Sequence, residues 1–482
     1  MDMIKHTIGQ VGQQLEVYLQ RSQAGKTEAL NQQSPEWIAE ELQLKERLHK
    51  GFQGEADLLA FTQTYLKHTN HLNHPHYLGH QVAVPQDLSG IPELIHGTIN
   101  NPSSLYEMGP AGGTLEGFMI NWMLDKVGWL QGRDYYDFKF LPGKSSGFLT
   151  HGGSLANLSA LAAARAHAAP ETWKQGNPNN LVVMGAATAH YSVARALSLL
   201  GLGSDAFYPI PVDRNEVMDP SYLEETYQNI QASGKQVMCV VANACTTSTG
   251  LFDPIDRIGD FCQKHQLWFH VDGAHGAAAL IAPKSKKYLK GIEKADSIIW
   301  DAHKMMRVPA LCTAVLYKDF SHQAGAFQQK GSYVFHDDEV VGMDSMPYTV
   351  ECTKSALGTK LFWAFALEGE AALANYVDHT FALAQEFYTL LQEETFFEIP
   401  YFPESNILCF RYTKDHSSDE FQKQLRYKII NNHNYYLTSC MMNGKRHLRV
   451  VLMNPQTRMG HLRGLIEEIR TTSEELSKSF EK

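Results

Sequence analysis

Five short apolar runs constrain this chain more than anything else in it: VVMG (182–185), QVMCVVANA (236–244), LWFHVDGA (267–274), SIIW (297–300) and TAVLYKD (313–319). Stretches with helical periodicity, such as SVARALSLLG and PIDRIGDFCQKHQ, separate them. Strands that are apolar on both faces need cover on both faces. The pattern therefore predicts an α/β fold whose mainly parallel sheet carries helices on each side. Residues 1–75 place apolar residues at helical spacing on otherwise polar segments (ELQLKERLH, ADLLAFTQTYL), which predicts a helical arm needing another surface to pack on. The sheet domain occupies 76–365. Residues 366–482 read as a smaller α+β domain, with one long helix over 367–395, the runs NILCFRY and HLRVVLM, a helix over EFQKQLRYKIINN between them, and a closing helix.

Composition narrows the function classes. A chain of 482 residues is long enough for two or three domains, and 44 % hydrophobic with 20 % charged residues is the balance of a soluble globular protein. A formal net charge of −10 argues against nucleic acid or an anionic membrane as partner. No apolar run is long enough to span a bilayer, and MDMIKHTIGQVGQQLEVYLQ lacks the apolar centre of a signal peptide. Seven cysteines, scattered singly and without a CxxC pair, read as buried free thiols in a reducing compartment, so a cytoplasmic location is expected.

Ligands of open parallel sheets bind beyond the carboxyl ends of the strands, and the unusual residues stand where such ends are expected. HGGSLANLSALAAARAH (151–167) follows a turn-like KSSGF and opens a helix. Gly152 and Gly153 let backbone approach a ligand, Ser154 takes the N-cap, and the free N–H groups of the first turn suit a phosphate; plain helix capping is the other reading. His190 follows one strand and precedes a helix, as a structural histidine or as an imidazole that stacks on an aromatic ligand. Asp272 ends another strand, where it either caps a turn or holds a protonated ring nitrogen. Lys304 comes thirty-two residues later, in SIIWDAHKMMRVPAL. Desolvation there is expected to pull its amine pKa down, as Schiff-base chemistry requires, unless the side chain merely snorkels to the surface. A phosphate cradle, an imidazole, a carboxylate and a lysine, each after its own strand, make the inventory for pyridoxal 5′-phosphate.

At HVDGAHG and DSIIWDAHKMM, and then at HPHYLGHQ, LYEMGPAGGTLE, GGSLAN, TAHYSVARA and HLRVVLMNP in family order, the sequence resembles the group II pyridoxal-phosphate-dependent amino acid decarboxylases. These act on glutamate, aromatic amino acids, cysteine sulfinate or 2,4-diaminobutyrate. The resemblance runs from about residue 74 to the last helix. It implies the aspartate-aminotransferase-like architecture (fold type I) and a homodimer that exchanges N-terminal arms and builds composite active sites. It further implies that Lys304 condenses with the cofactor aldehyde beside His303, and that Asp272 pairs with the pyridine nitrogen. Ala274 would pack on the ring face opposite His190, Thr247 would contact the phenolic oxygen, and Gly153 and Ser154 would bind the phosphate. Arg449 would receive the substrate α-carboxylate, near a pocket loop at His80 and Gln81. Tyr333, in a Gly-, His- and Asp-rich stretch that suits a mobile lid, would return a proton to the substrate carbon after CO2 leaves.

Three positions depart from the family pattern. Asp301 stands where many relatives have asparagine near the phosphate, which is unfavourable unless the acid is protonated or turned away. Asp-Gly-Ala replaces the commoner Asp-Ala-Ala, and Cys245 replaces a glycine. The expected activity is α-decarboxylation of a small acidic or diamino L-amino acid (glutamate, aspartate, cysteine sulfinate or 2,4-diaminobutyrate type). An aromatic substrate, aldehyde formation or transamination, and a catalytically silent relative are the alternatives. His68, His71, His74, His76 and His80 fall close together, but no cysteine or carboxylate stands at ligand spacing among them, so no metal is expected.

Overall fold

All five apolar runs are strands. The computed structural model describes residues 2–139, 141–327, 344–414 and 416–480, and the chain divides into two compact units. The first, Pro85–Ala382 with Tyr401–Asn406, holds a seven-stranded sheet. Its strands are β1 (Ser146–Thr150), β2 (Leu181–Ala186), β3 (Phe207–Ile210), β4 (Gln236–Asn243), β5 (Trp268–Asp272), β6 (Ser297–Asp301) and β7 (Thr313–Tyr317). Their order is β1-β7-β6-β5-β4-β2-β3, and β7 alone runs against the rest. Strands β1, β2, β5, β6 and β7 are buried at every residue, as expected of a sheet covered on both faces.

Two strands of this sheet escaped the sequence pattern. The turn-like KSSGF is instead the start of β1, an edge strand whose Ser-Gly opening hides its β character. FYPI is β3, at the other edge, where proline costs no ladder bond. The buried Glu116, on the helix Pro110–Val127, accepts from the Leu149 N–H on β1 at 3.0 Å and pairs with the Lys354 ammonium. A buried amide must find an acceptor, and this one fixes the strand that leads into His151–Ser154. The long helix expected over 367–395 is Glu370–Gln392, and a separate helix precedes it. Leu357–Glu368 ends at Gly369, whose φ of +83° leaves the helical region, and Glu370–Gln392 follows.

The second unit comprises Met1–Val84, Leu383–Pro400 and Ile407–Lys482. Its antiparallel sheet has the order β10-β11-β9-β8, from β8 (Phe397–Glu398), β9 (Ile407–Tyr412), β10 (Thr438–Met442) and β11 (Lys445–Val451). The helices Asp419–Asn431, capped by Ser418, and Met459–Phe480 pack together. The N-terminal helix Asp2–Gln23 lies along Glu55–Lys67, tied by Thr7 Oγ1 to Glu55 at 2.8 Å. The clustered histidines here act through their rings. His68 meets Trp37 edge-on, His71 stacks on Tyr18, and His76 stacks on Tyr435 with centroids 4.0 Å apart.

All seven cysteines are free; Cys352 is exposed and Cys440 partly so, which departs from the expectation of buried thiols throughout. Among the described residues no helix is long and apolar enough to cross a membrane.

Candidate active site

Because β1 and β2 run parallel to β4, β5 and β6, the segments that follow these strands emerge at one edge of the sheet. A cavity of about 310 Å³ opens there. Gly153, Ser154, His190, Thr247, Asp272, Ala274, His303 and Lys304 all line it. The structure thus brings together every residue for which the sequence suggested contact with a cofactor.

The cradle is built by Gly152. With φ of +105° it takes the N-cap of the helix Gly153–Ala168, in a region that side chains avoid. The expectation that Ser154 would cap is therefore corrected: Ser154 sits inside the first turn, exposed, and no side chain bonds the turn's N–H groups. The Leu155 and Ala156 N–H groups bond the Gly152 carbonyl, which leaves those of Gly153 and Ser154 to an anion. His151, which sequence reasoning passed over, lines the cavity just ahead, its Nδ1 against Glu351 and its Nε2 2.9 Å from Ser355 Oγ. Cys245 takes the left-handed backbone (φ +77°) that explains a glycine elsewhere, at a cost of about 1–3 kcal/mol.

Behind the cavity a directional network fixes the protons. Asn157, one turn into the cradle helix, donates from Nδ2 to Asp272 Oδ2 and to Ser192 Oγ, each at 2.9 Å. A carboxylate only accepts, so the amide oxygen faces away and accepts from His270 Nε2 at 2.9 Å. His270 Nδ1 then accepts from Ser297 Oγ at 2.8 Å, and Ser297 accepts from Trp268 Nε1 at 3.0 Å. His270 is neutral, its pKa pushed down to about 4 mainly by burial. On the other branch, His190 Nδ1 faces the Ser192 hydroxyl at 2.7 Å and its N–H at 3.3 Å, so the ring proton resides on Nε2; burial again lowers its pKa. Asn157 and His270 were also missed. The signals were present: Asn157 lies four residues after Gly153 on one helix face, and His270 two before Asp272 on one strand face.

Lys304 departs from its expected electrostatics. Burial is the largest influence and pulls its amine pKa down, but the carboxylates of Asp301 and Asp272 outweigh it, and the net shift is upward. Its Nζ lies 3.0 Å from Asp301 Oδ2, with 22 % of the side chain still exposed. Asp301 also accepts from Thr313 Oγ1 at 2.7 Å, across the β6–β7 pairing. It is thus turned toward hydrogen-bond donors, as an acid near a phosphate site must be.

Arg449, His80 and Gln81 belong to the other unit and meet there. Buried Arg449 donates to the Gly79 carbonyl (3.3 Å), Thr438 Oγ1 (3.2 Å) and Gln81 Oε1 (3.3 Å). His80 Nε2 and the Tyr436 hydroxyl are 2.6 Å apart, and burial lowers the His80 pKa, helped by Arg449. Tyr333 falls in 328–343, outside the described residues.

The cavity volume lies within the range of small-molecule sites. An amine, a strand-tip carboxylate and open helix N–H groups are the complement of an aldehyde, a ring nitrogen and a phosphate, so the residues present fit pyridoxal 5′-phosphate. Residues 49–413 match the pyridoxal-dependent decarboxylase conserved domain. The chain belongs to that family. This decarboxylase is 28 % identical to the mouse acidic amino acid decarboxylase GADL1 over 79 % of its own length and 67 % of the relative's. It is 27 % identical to L-2,4-diaminobutyrate decarboxylase of Acinetobacter baumannii (79 % and 75 % covered) and 29 % identical to mouse cysteine sulfinic acid decarboxylase (78 % and 75 %). The crystal structure of mouse CSAD superposes with a TM-score of 0.88 at 23 % identity, over 98 % of this chain and 99 % of that one. The decarboxylase is a pyridoxal-phosphate-dependent carboxy-lyase of amino acids with the fold-type-I architecture.

Proposed function

We propose that the enzyme removes the α-carboxylate of a small acidic or diamino L-amino acid, as a homodimer in the cytoplasm. The observation that carries this reading is the single cavity lined by Lys304 together with Asp272, His190 and the Gly153 cradle. The substrate class rests on relatives named for acidic amino acids, cysteine sulfinic acid and 2,4-diaminobutyrate.

When bound, pyridoxal 5′-phosphate supplies a conjugated ring that accepts the electrons left by departing CO2. Lys304 offers the amine that holds the cofactor's aldehyde. Asp272, oriented by Asn157, holds a proton on the ring nitrogen and so keeps the ring electron-poor. His190 and Ala274 confine the ring, Gly153 and Ser154 bind the phosphate, and Thr247 and His303 complete the contacts. Arg449, with His80 and Gln81, receives the substrate carboxylate, and Tyr333 returns the proton to the substrate carbon.

A homodimer is supported by apolar residues left exposed on the N-terminal helix, Ile4, Ile8, Leu15 and Val17, and by Leu94, Ile95 and Ile99 in the larger unit. Seven free cysteines support a reducing compartment. The test is a panel of L-amino acids assayed for amine and CO2, with Lys304→Ala as blank. Amine from one acidic or diamino substrate is expected. An aldehyde or keto acid instead would remove the role given to Tyr333, and light scattering at a monomer mass with activity intact would remove the dimer.

A further inference from the structure

We propose that Asp301 is a positioning residue of cofactor capture: it holds the Lys304 ammonium at the floor of the phosphate cradle, and Lys304 must leave it and lose a proton before it can join the aldehyde. The inference rests on the reading that Lys304 carries the cofactor.

Three observations carry it. Asp301 Oδ2 and Lys304 Nζ are 3.0 Å apart, with the carboxylate buried and therefore able to attract strongly. Thr313 Oγ1 donates to Asp301 Oδ1 at 2.7 Å and locks the carboxylate in that orientation. Both Asp301 oxygens lie 3.2 Å from where a Cβ on Gly153 would stand, so the ion pair abuts the first residue of the cradle helix. A carboxylate at this spot disfavours a phosphate dianion unless a cation accompanies it, and Lys304 is that cation. An amide at position 301 would neither hold the lysine charged nor oppose the phosphate.

The groups facing Lys304 from neighbouring segments are Asp272 at the end of β5, Cys245 after β4, His190 after β2 and His303 beside it. Of these, only Asp272 carries a second full negative charge, and Asn157 already engages it. Removing Asp301 thus removes the closest anion, and the net upward push on the Lys304 amine falls with it.

In the capture step the ammonium proton passes to solvent and the free amine nitrogen attacks the aldehyde carbon. A C=N bond forms and the aldehyde oxygen leaves as water. Only the free amine attacks, so at a pH below the lysine pKa the rate rises about tenfold per pH unit, and each unit by which that pKa falls brings the same gain.

The experiment follows pyridoxal 5′-phosphate capture by the cofactor-free full-length protein between pH 6 and 9.5. The adduct is read by absorbance and, after borohydride trapping, by its mass on the Lys304 peptide. Wild type should climb throughout this range, whereas Asp301→Asn should capture about tenfold faster at pH 7 and level off at lower pH. Identical profiles would overturn the proposal. It also fails if Asp301→Asn tightens pyridoxine 5′-phosphate, which has no aldehyde, by the same factor at every pH while the capture profile keeps its shape; the carboxylate would then act on phosphate alone. Should Asp301→Asn not fold, wild type followed to about pH 11 decides: a plateau at or below the ordinary lysine value of about 10.4 refutes the held ammonium, and a climb that continues past it supports it. An undiminished adduct in Lys304→Ala would instead sink the assignment of Lys304, a separate failure.

Discussion

Replacing Asn157 with leucine keeps its branched heavy-atom skeleton and deletes its polarity, and the structure says what that costs. Asn157 donates to a carboxylate, Asp272, and accepts from a buried imidazole N–H, that of His270. A hydrogen bond to a charged group contributes about 1.5–3 kcal/mol, and a buried donor left unpaired costs about 1–3 kcal/mol. Asn157→Leu should therefore destabilise the larger unit by about 3–5 kcal/mol. Urea unfolding read by tryptophan fluorescence reports on that unit, because Trp122, Trp129, Trp173, Trp268, Trp300 and Trp363 lie in it and only Trp37 does not. The variant should also bind pyridoxal 5′-phosphate at least about tenfold more weakly, since freeing Asp272 forfeits no less than the lower end of the charge-assisted bond. In an Asp272→Asn background the same substitution should cost about 1.5 kcal/mol less, because the charged acceptor is already gone. A loss below about 1 kcal/mol with cofactor affinity intact would refute the network as the element that sets Asp272.

His270 gives a pH signature. Its folded pKa of about 4 lies below the ordinary histidine value, so its contribution is complete above about pH 6.5 and is lost as pH falls toward 4, by about 3 kcal/mol in all; His270→Gln should flatten that slope in unfolding midpoints measured across the window. Gly358→Ala would put a Cβ 2.3 Å from the Glu116 backbone nitrogen, forcing apart the helices Leu357–Glu368 and Pro110–Val127. A loss of about 1–3 kcal/mol is expected, with faster cofactor release because Glu116 anchors β1; unchanged thermal unfolding would contradict the packing. Arg449→Gln should raise the KM for substrate while leaving the cofactor absorbance untouched, and loss of absorbance instead would move Arg449 out of its substrate role.

The sheet was legible because strands buried on both faces cannot hide: β2, β4, β5, β6 and β7 must be apolar at almost every position. The edge strands β1 and β3 tolerate glycine, serine and proline, so composition concealed them. The site was legible in its order, since one chemistry-bearing residue follows each strand and a parallel sheet delivers them to the same edge. Gly152 shows the limit of local reading, because a serine beside two glycines signals a cap, yet only the backbone angle decides which residue takes it.

By itself, then, the sequence determined a doubly covered sheet, the order of the residues along its active edge and the family to which they belong. Only the tertiary structure decided the protonation and charge of that edge. Whether His270 is neutral, which way Asn157 points and whether Lys304 is pulled down by burial or held up by Asp301 and Asp272 all depend on charges and hydrogen bonds between residues distant in the chain. Electrostatic energy depends on separation in space and on burial, neither of which spacing along a sequence specifies.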